Sequence, residues 1–258
     1  MVLQIHASLE YDLPTTTDLV LQVEAAHLPE QVVSNAVLDL AGHSHFARGP
    51  GEDGIGERVI LRAAGRLSAT YAATVAIERQ LADLEALEAL PPHLLPAETI
   101  GFLFDSPYCP ASRFRAVVAA EFGHLGGGAQ VAAMRDFVAR TIAYVPGSSD
   151  GRTTALDTYL ARAGVCRDFA HLLVTLARAA EIPARFASVY ALGVEPQDFH
   201  AVAEVFLGGA WHLVDATGMA EAAGIAKIGV GRDATDVAFL TSFGPVTMVS
   251  QSVSVTRG

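Results

Sequence analysis

Apolar and polar positions change period along this chain, and the change divides it. From Val2 to about Arg79 the pattern is strand-like. Val2 to Leu9 alternates weakly, and Leu19-Val20-Leu21-Gln22-Val23 is richly β-forming. Val32 to Leu40, Glu57 to Leu61 and Arg66 to Ile77 follow, with Gly- or Pro-bearing turns between them. Several strands with short turns and no convincing helix predict a β-sandwich-like domain. Leu81 to Leu90 has helical composition over ten residues, and Pro91 to Pro96 reads as a linker. The expected division is therefore a β-rich domain over 1–95 and a second domain over 96–258.

Helical spacing dominates the start of the second part. A helix is predicted from about Ser112, a plausible N-cap, to Phe122. Another runs from about Ala129 to Ala143, with Val131, Met134, Phe137, Val138 and Ile142 inward. Gly126-Gly127-Gly128 before it reads as a flexible loop. Without a following Lys-Ser or Lys-Thr it is no phosphate-binding loop. Thr154-Ala155-Leu156-Asp157 resembles a capping box and opens a short helix ending before Gly164. After that the apolar residues recur as Phe169, Leu172, Leu173, Leu176 and Ala180, so a further helix starts near Cys166 and stops before Pro183. Strands predominate downstream, at Phe199–Leu207, Trp211–Thr217, Ala226–Val230, Val237–Thr241 and Val246–Val255. The last three are expected to complete the sheet behind the first two. This half reads as α+β.

Cys166 carries the candidate chemistry. A thiol in the first turn of a helix meets unpaired backbone N–H groups and the positive end of the helix dipole, and both favour the nucleophilic thiolate. The bland alternative is a small buried Cys, a common fate for that residue. The downstream hairpin decides between them. Gly208-Gly209 is a two-residue turn signal, and if those two form the loop, His200 faces Thr217 and Val202 faces Asp215. His200 and Asp215 are then diagonal neighbours on one face, ~7–8 Å apart at Cα. A slip of one residue would send them to opposite faces. The other histidines fit less well. His171 lies about 140° around and ~7.5 Å along the helix from Cys166, and His212 points to the opposite face from Asp215.

The ordered blocks GVCRDFAHL, IPARF and DFHAVAEVFLGGAWHLVDAT resemble the bacterial branch of the transglutaminase-like superfamily of papain-fold cysteine enzymes. The flanking IAYVPGSSDGRTTALDTYLARAG and GVGRDATDVAF also fit. The resemblance is close over about residues 130–240 and loose over the first hundred. It implies a helix-borne Cys packed on an antiparallel sheet, often preceded by a β domain. It makes Cys166 the nucleophile, His200 the base and Asp215 the orienting acid of an enzyme that passes an acyl group through a thioester. An amine acceptor would make it a transamidase and water a protease or amidase, with hydrolysis slightly favoured. The alternative is a non-catalytic protein- or peptide-binding module on the same fold. The Cys166 backbone N–H is a natural oxyanion donor. Tyr144 and Trp211 are candidates for the oxyanion site or substrate groove, although both have a simpler packing role available. Asp168 reads as a structural anchor.

Composition narrows the partners. A formal charge of −11 argues against general affinity for nucleic acid or anionic membranes. The expected partner is a peptide or protein amide substrate. Cys109 and Cys166 do not make a disulfide framework, and Cys109 reads as a structural thiol. Gly42-His43-Ser44-His45 lacks a carboxylate or thiol beside it and reads as a loop, so no metal is expected. No calcium loop and no other cofactor motif is evident. The first residues show no basic leader with an apolar stretch, and no apolar run reaches about 18 residues, so the expected compartment is the cytoplasm.

Overall fold

The computed structural model describes all 258 residues. In chain order the elements are strands β1 (Val2–Leu21), β2 (Gln31–Pro50) and β3 (Glu57–Ile77), then helices α1 (Arg115–Phe122) and α2 (Gly127–Thr141). Next come β4 (Ala143–Tyr144), α3 (Ala155–Ala161), β5 (Ala163–Gly164) and α4 (Cys166–Ala179). The chain ends with β6 (Ala184–Ala191), β7 (His200–Leu207), β8 (Ala210–Val214), β9 (Ile225–Gly231), α5 (Ala234–Val237), β10 (Leu240–Ser242) and β11 (Thr247–Arg257). No helix is long and apolar enough to cross a membrane.

Three long strands replace the several short ones expected at the N-terminus. They form one antiparallel sheet, ordered β10-β1-β3-β2 with β11 also on β1. The register shifts between Leu13 and Thr17 and around His43 are bulges. Such an extra residue bends a strand without ending it, so two β-forming runs become one strand. Alternation is strong in β1 and β3: Leu3, Ile5, Ala7, Leu9, Tyr11 and Leu13 are all buried, as are Leu67, Ala69, Tyr71, Ala73 and Val75. The layer that covers this face comes in part from the second half of the chain, through Tyr190, Phe199, Ala226 and Ile228. A self-contained sandwich over 1–95 is therefore not what forms.

The second sheet is ordered β8-β7-β6-β9 and is antiparallel throughout. Of the three strands expected to complete it, only β9 does so. β10 and β11 join the N-terminal sheet instead, pairing Leu21 with Leu240 and Ile5 with Val255. The last strand has one apolar row, so it suits an outer position on a sheet with one wet face. Every residue of β6, β7 and β9 is buried, which marks this sheet as the centre of the molecule. Helix α4 packs Leu172, Leu173 and Leu176 into the cluster holding Ala203, Val205 and Val214.

Three further expectations change. Leu81–Leu90 forms only a short 3-10 turn at Leu84–Ala86, and its backbone lies against the start of α2. The glycine run there is packed rather than flexible, since a Cβ on Gly128 would sit 1.6 Å from the Leu84 carbonyl oxygen. Ser112 gives its N–H and hydroxyl to Asp105, and helix α1 starts beyond it at Arg115. Thr154 and Asp157, in contrast, exchange the hydrogen bonds of a capping box as expected.

Removing residues 247–258 should uncover β1 and delete the buried Val253 and Val255. At about 1.5–3 kcal/mol for each buried Val, the loss is roughly 3–6 kcal/mol. Denaturant unfolding of the shortened chain is expected to show a midpoint well below that of the full chain.

Candidate active site

Helix α4 opens after Val165, whose side chain has no acceptor to cap it. The cap is supplied from three residues further on, where Asp168 Oδ2 accepts the Val165 N–H at 2.8 Å. Asp168 is fully buried, accepts the Ser149 hydroxyl and pairs with Arg167 at 3.0 Å. Arg167 also donates to the Asp150 carbonyl at 2.6 Å. These bonds tie loop 147–151 to the mouth of α4. Asp168 is thus the anchor its position suggested, and it holds Cys166 at the first turn.

The hairpin has the register read from its turn. Gly208 and Gly209 both take positive φ, 58° and 83°, which two-residue hairpin turns require. Leu207 pairs with Ala210 and Ala203 with Val214. His200 opens β7 and Asp215 follows β8, so the antiparallel pairing delivers both to one end of the sheet. His200 Nε2 lies 3.0 Å from Asp215 Oδ2. Asp215 is itself fixed: Oδ1 accepts from the Thr217 N–H and hydroxyl at 2.8 and 2.7 Å, and Oδ2 accepts the Ala220 N–H at 2.9 Å.

Charge follows from these contacts. Burial is the largest influence on His200 and opposes its charged form. The hydrogen bond to Asp215 and the charge of a Cys166 thiolate outweigh it, and the imidazole is raised to about 9. Burial also opposes the Asp215 carboxylate, but the imidazolium and the Thr217 donors hold it below its usual range. His200 Nδ1 is buried without a protein partner at bonding distance, leaving that nitrogen for the sulfur. Cys166 itself is half-buried and unbridged.

Tyr144 is brought to this point. The parallel pairing of β4 with β5 sets it opposite Gly164. Burial first, and then the nearby Cys166 charge, push its phenol up to about 12, while the Cys166 backbone favours its ionised form. The phenol is therefore close enough to Cys166 for both its backbone and its thiol to act on it. Trp211 is not brought there. It sits at the turn end of β8, ~13 Å from Asp215 at the usual strand rise. It packs edge-on to Phe206 and Phe102 and lies under the Arg185 guanidinium at 4.0 Å. It is a packing residue, and the groove role expected of it does not hold.

The other reactive side chains are sequestered. Cys109 is fully buried, and burial pushes its thiol up to about 12. His171 is fully buried, and burial depresses it to about 3, so it is neutral and its Nε2 accepts the Ala234 N–H at 3.1 Å. His212 Nε2 bonds the Leu207 carbonyl at 3.1 Å. Asp233 accepts the N–H groups of Tyr108 and Thr235, anchoring the turn between β9 and α5. His43 and His45 lie on the bulged, exposed part of β2.

Residues 118–216 match the family model of the transglutaminase-like superfamily. The crystal structure of a candidate cysteine protease from Cytophaga hutchinsonii is 33% identical. It superposes with a TM-score of 0.92 over 99% of this chain and 90% of that one. The chain belongs to the transglutaminase-like superfamily. The uncharacterized protein ML0607 of Mycobacterium leprae is 35% identical to this transglutaminase-like chain over 104 residues. That match spans 37% of this chain and only 37% of that protein's length.

Sequence reading missed two parts of the site region. A pocket of about 330 Å³ beside Cys166 and His200 has aromatic walls from segments far apart in the chain. A buried ion cluster lies behind the hairpin: Glu204 pairs with Arg185 at 2.7 Å and Lys227 at 3.0 Å, and Lys227 reaches Glu30 at 3.0 Å. Glu204 and Arg185 stand directly opposite one another on β7 and β6, so a register for those strands would have found that pair.

The raised His200 sets a sign for stability. Its contribution is fully present below about pH 6.5 and is lost as pH rises through about 9. Thermal unfolding from pH 6 to 10 is expected to show a decline across that window in the wild type. The decline should be smaller in His200→Gln.

Proposed function

We propose that this protein is a cysteine-dependent acyl-transfer enzyme that cleaves amide bonds through a thioester on Cys166, with water the preferred acceptor over an amine. The observation that carries the reading is the 3.0 Å contact of His200 with Asp215, with Nδ1 unpartnered and the half-buried Cys166 lining the same pocket and acting on the imidazole. The Cytophaga hutchinsonii relative, described as a candidate cysteine protease, supports the same chemistry.

The steps follow from the placement of these groups. The Cys166 thiolate adds to the amide carbonyl carbon, and the carbonyl electron pair moves to oxygen. The oxyanion is held by the Cys166 backbone N–H and by the Tyr144 hydroxyl beside it, a kind of stabilisation worth several kcal/mol. The C–N bond then breaks, and the amine leaves with the proton from His200 Nδ1. Water attacks the thioester carbonyl and His200 takes its proton; the C–S bond breaks, the acid departs, and sulfur leaves as the thiolate beside the His200 imidazolium, which restores the starting pair. Asp215 keeps the ring oriented throughout and stabilises its cationic form.

Three variants test the roles. Cys166→Ala should abolish turnover, His200→Ala should lower it by several orders of magnitude, and Asp215→Asn by roughly 10²–10⁴-fold. Hydrolysis of peptide amides, followed by product mass with and without a primary amine, separates acid from transamidated product. Full activity in Cys166→Ala would end the thioester reading. Iodoacetamide on the native protein is expected to modify Cys166 and leave Cys109 intact, with intact mass and peptide mapping as the readout.

A further inference from the structure

Beside the sulfur lies a pocket whose walls come from both sheets. Phe186 on β6, Phe199 just before β7, and Val237, Phe239 and Leu240 line it, and Leu240 is already part of β10, hydrogen-bonded into the N-terminal sheet opposite Leu21. Phe199 and Phe239 stack face to face, with centroids 4.9 Å apart and planes within 6°. At about 330 Å³ the space is at the small end for ligand pockets, which span ~300–1,000 Å³, and suits one large side chain more than an extended ligand. The charged groups on its rim are already engaged: the Arg167 guanidinium bonds Asp168, Ser149 and the Asp150 carbonyl, and His200 is held by Asp215.

Resting on the nucleophile reading, we infer that this pocket receives a bulky apolar or aromatic side chain of the acyl donor, next to the carbonyl that Cys166 attacks. Phe239 and Leu240, supplied through the N-terminal sheet, determine that preference. The acyl group stays bonded to the sulfur until it is released, so its own side chains are the ones held beside Cys166. A charged side chain would enter a mainly apolar cavity whose own charged groups are already paired, which is costly. A glycine would leave the cavity unfilled, and pocket contacts of this kind are worth ~10–200-fold per methylene. The N-terminal sheet is then a specificity element and not only a support.

The test uses the full chain and a panel of peptidyl fluoromethyl ketones that differ only in the residue joined to the ketone: Phe, Leu, Gly, Glu and Lys. Rates of Cys166 modification are read by intact mass. Phe and Leu probes are expected to react at least ~10-fold faster than Gly, and faster still than Glu. Leu240→Asp should erase the preference for Phe and raise the rate with Lys relative to Phe, while iodoacetamide still modifies Cys166. Phe239→Ala, a milder change, should reduce the Phe advantage. Equal rates across the panel, with Cys166 modified by every probe, would overturn the pocket assignment and leave the nucleophile in place. Failure of every probe and of iodoacetamide to modify Cys166 would overturn both.

Discussion

The antiparallel pairing of β7 with β8 is the constraint from which the site follows. Its two-glycine turn sets which residues oppose one another, and the strands hold that register over five residue pairs. Because side chains alternate, a shift of one position would separate His200 from Asp215 and turn the buried row of β7 away from α4. Packing and site geometry therefore reject the same errors. Asp215 adds its own fixation, since four hydrogen bonds converge on its two oxygens. A carboxylate so held cannot swing away when the imidazole changes charge.

Behind the hairpin, the ion cluster at Glu204 joins the two halves of the molecule. Lys227 reaches Glu30 ahead of β2, and Arg185 reaches Asp53 at 2.8 Å in the turn before β3. Gln31, fully buried, adds hydrogen bonds to the backbone of Lys227 in both directions. Such a cluster contributes little net stability compared with an apolar core of the same shape. Removing one member, though, strands a charge in a dry interior, typically at about 3–5 kcal/mol. Its effect is positional: it allows one relation between the sheets, and that relation completes the pocket wall at Leu240.

The legible parts of this protein are those set by local rules. The helix from Cys166, the turn at Gly208-Gly209 and the diagonal relation of His200 to Asp215 all depend on short spacings, and Thr154 and Asp157 announce a capping box. Tyr144 was legible only as a neighbour in the chain, because its approach to Cys166 rests on a two-residue strand pairing. The illegible parts depend on partners distant in sequence. Nothing in Thr247–Arg257 says whether it pairs behind the hairpin or beside β1, since either sheet accepts a strand with one apolar row. Trp211 was misplaced for a related reason. The face it shares with Asp215 could be inferred, but not the distance from the reaction centre, nor the guanidinium waiting on it.

The order of synthesis gains meaning from where β10 and β11 lie. As the polypeptide leaves the ribosome, the nucleophile and the hairpin emerge before the strands that finish the first sheet. That sheet keeps part of its apolar face uncovered until the segments from Tyr190 to Val255 that pack on it have been made. The pocket lining at Leu240 is correspondingly among the later structures to assemble, since it needs β10 to pair with β1 from the far side of the sequence.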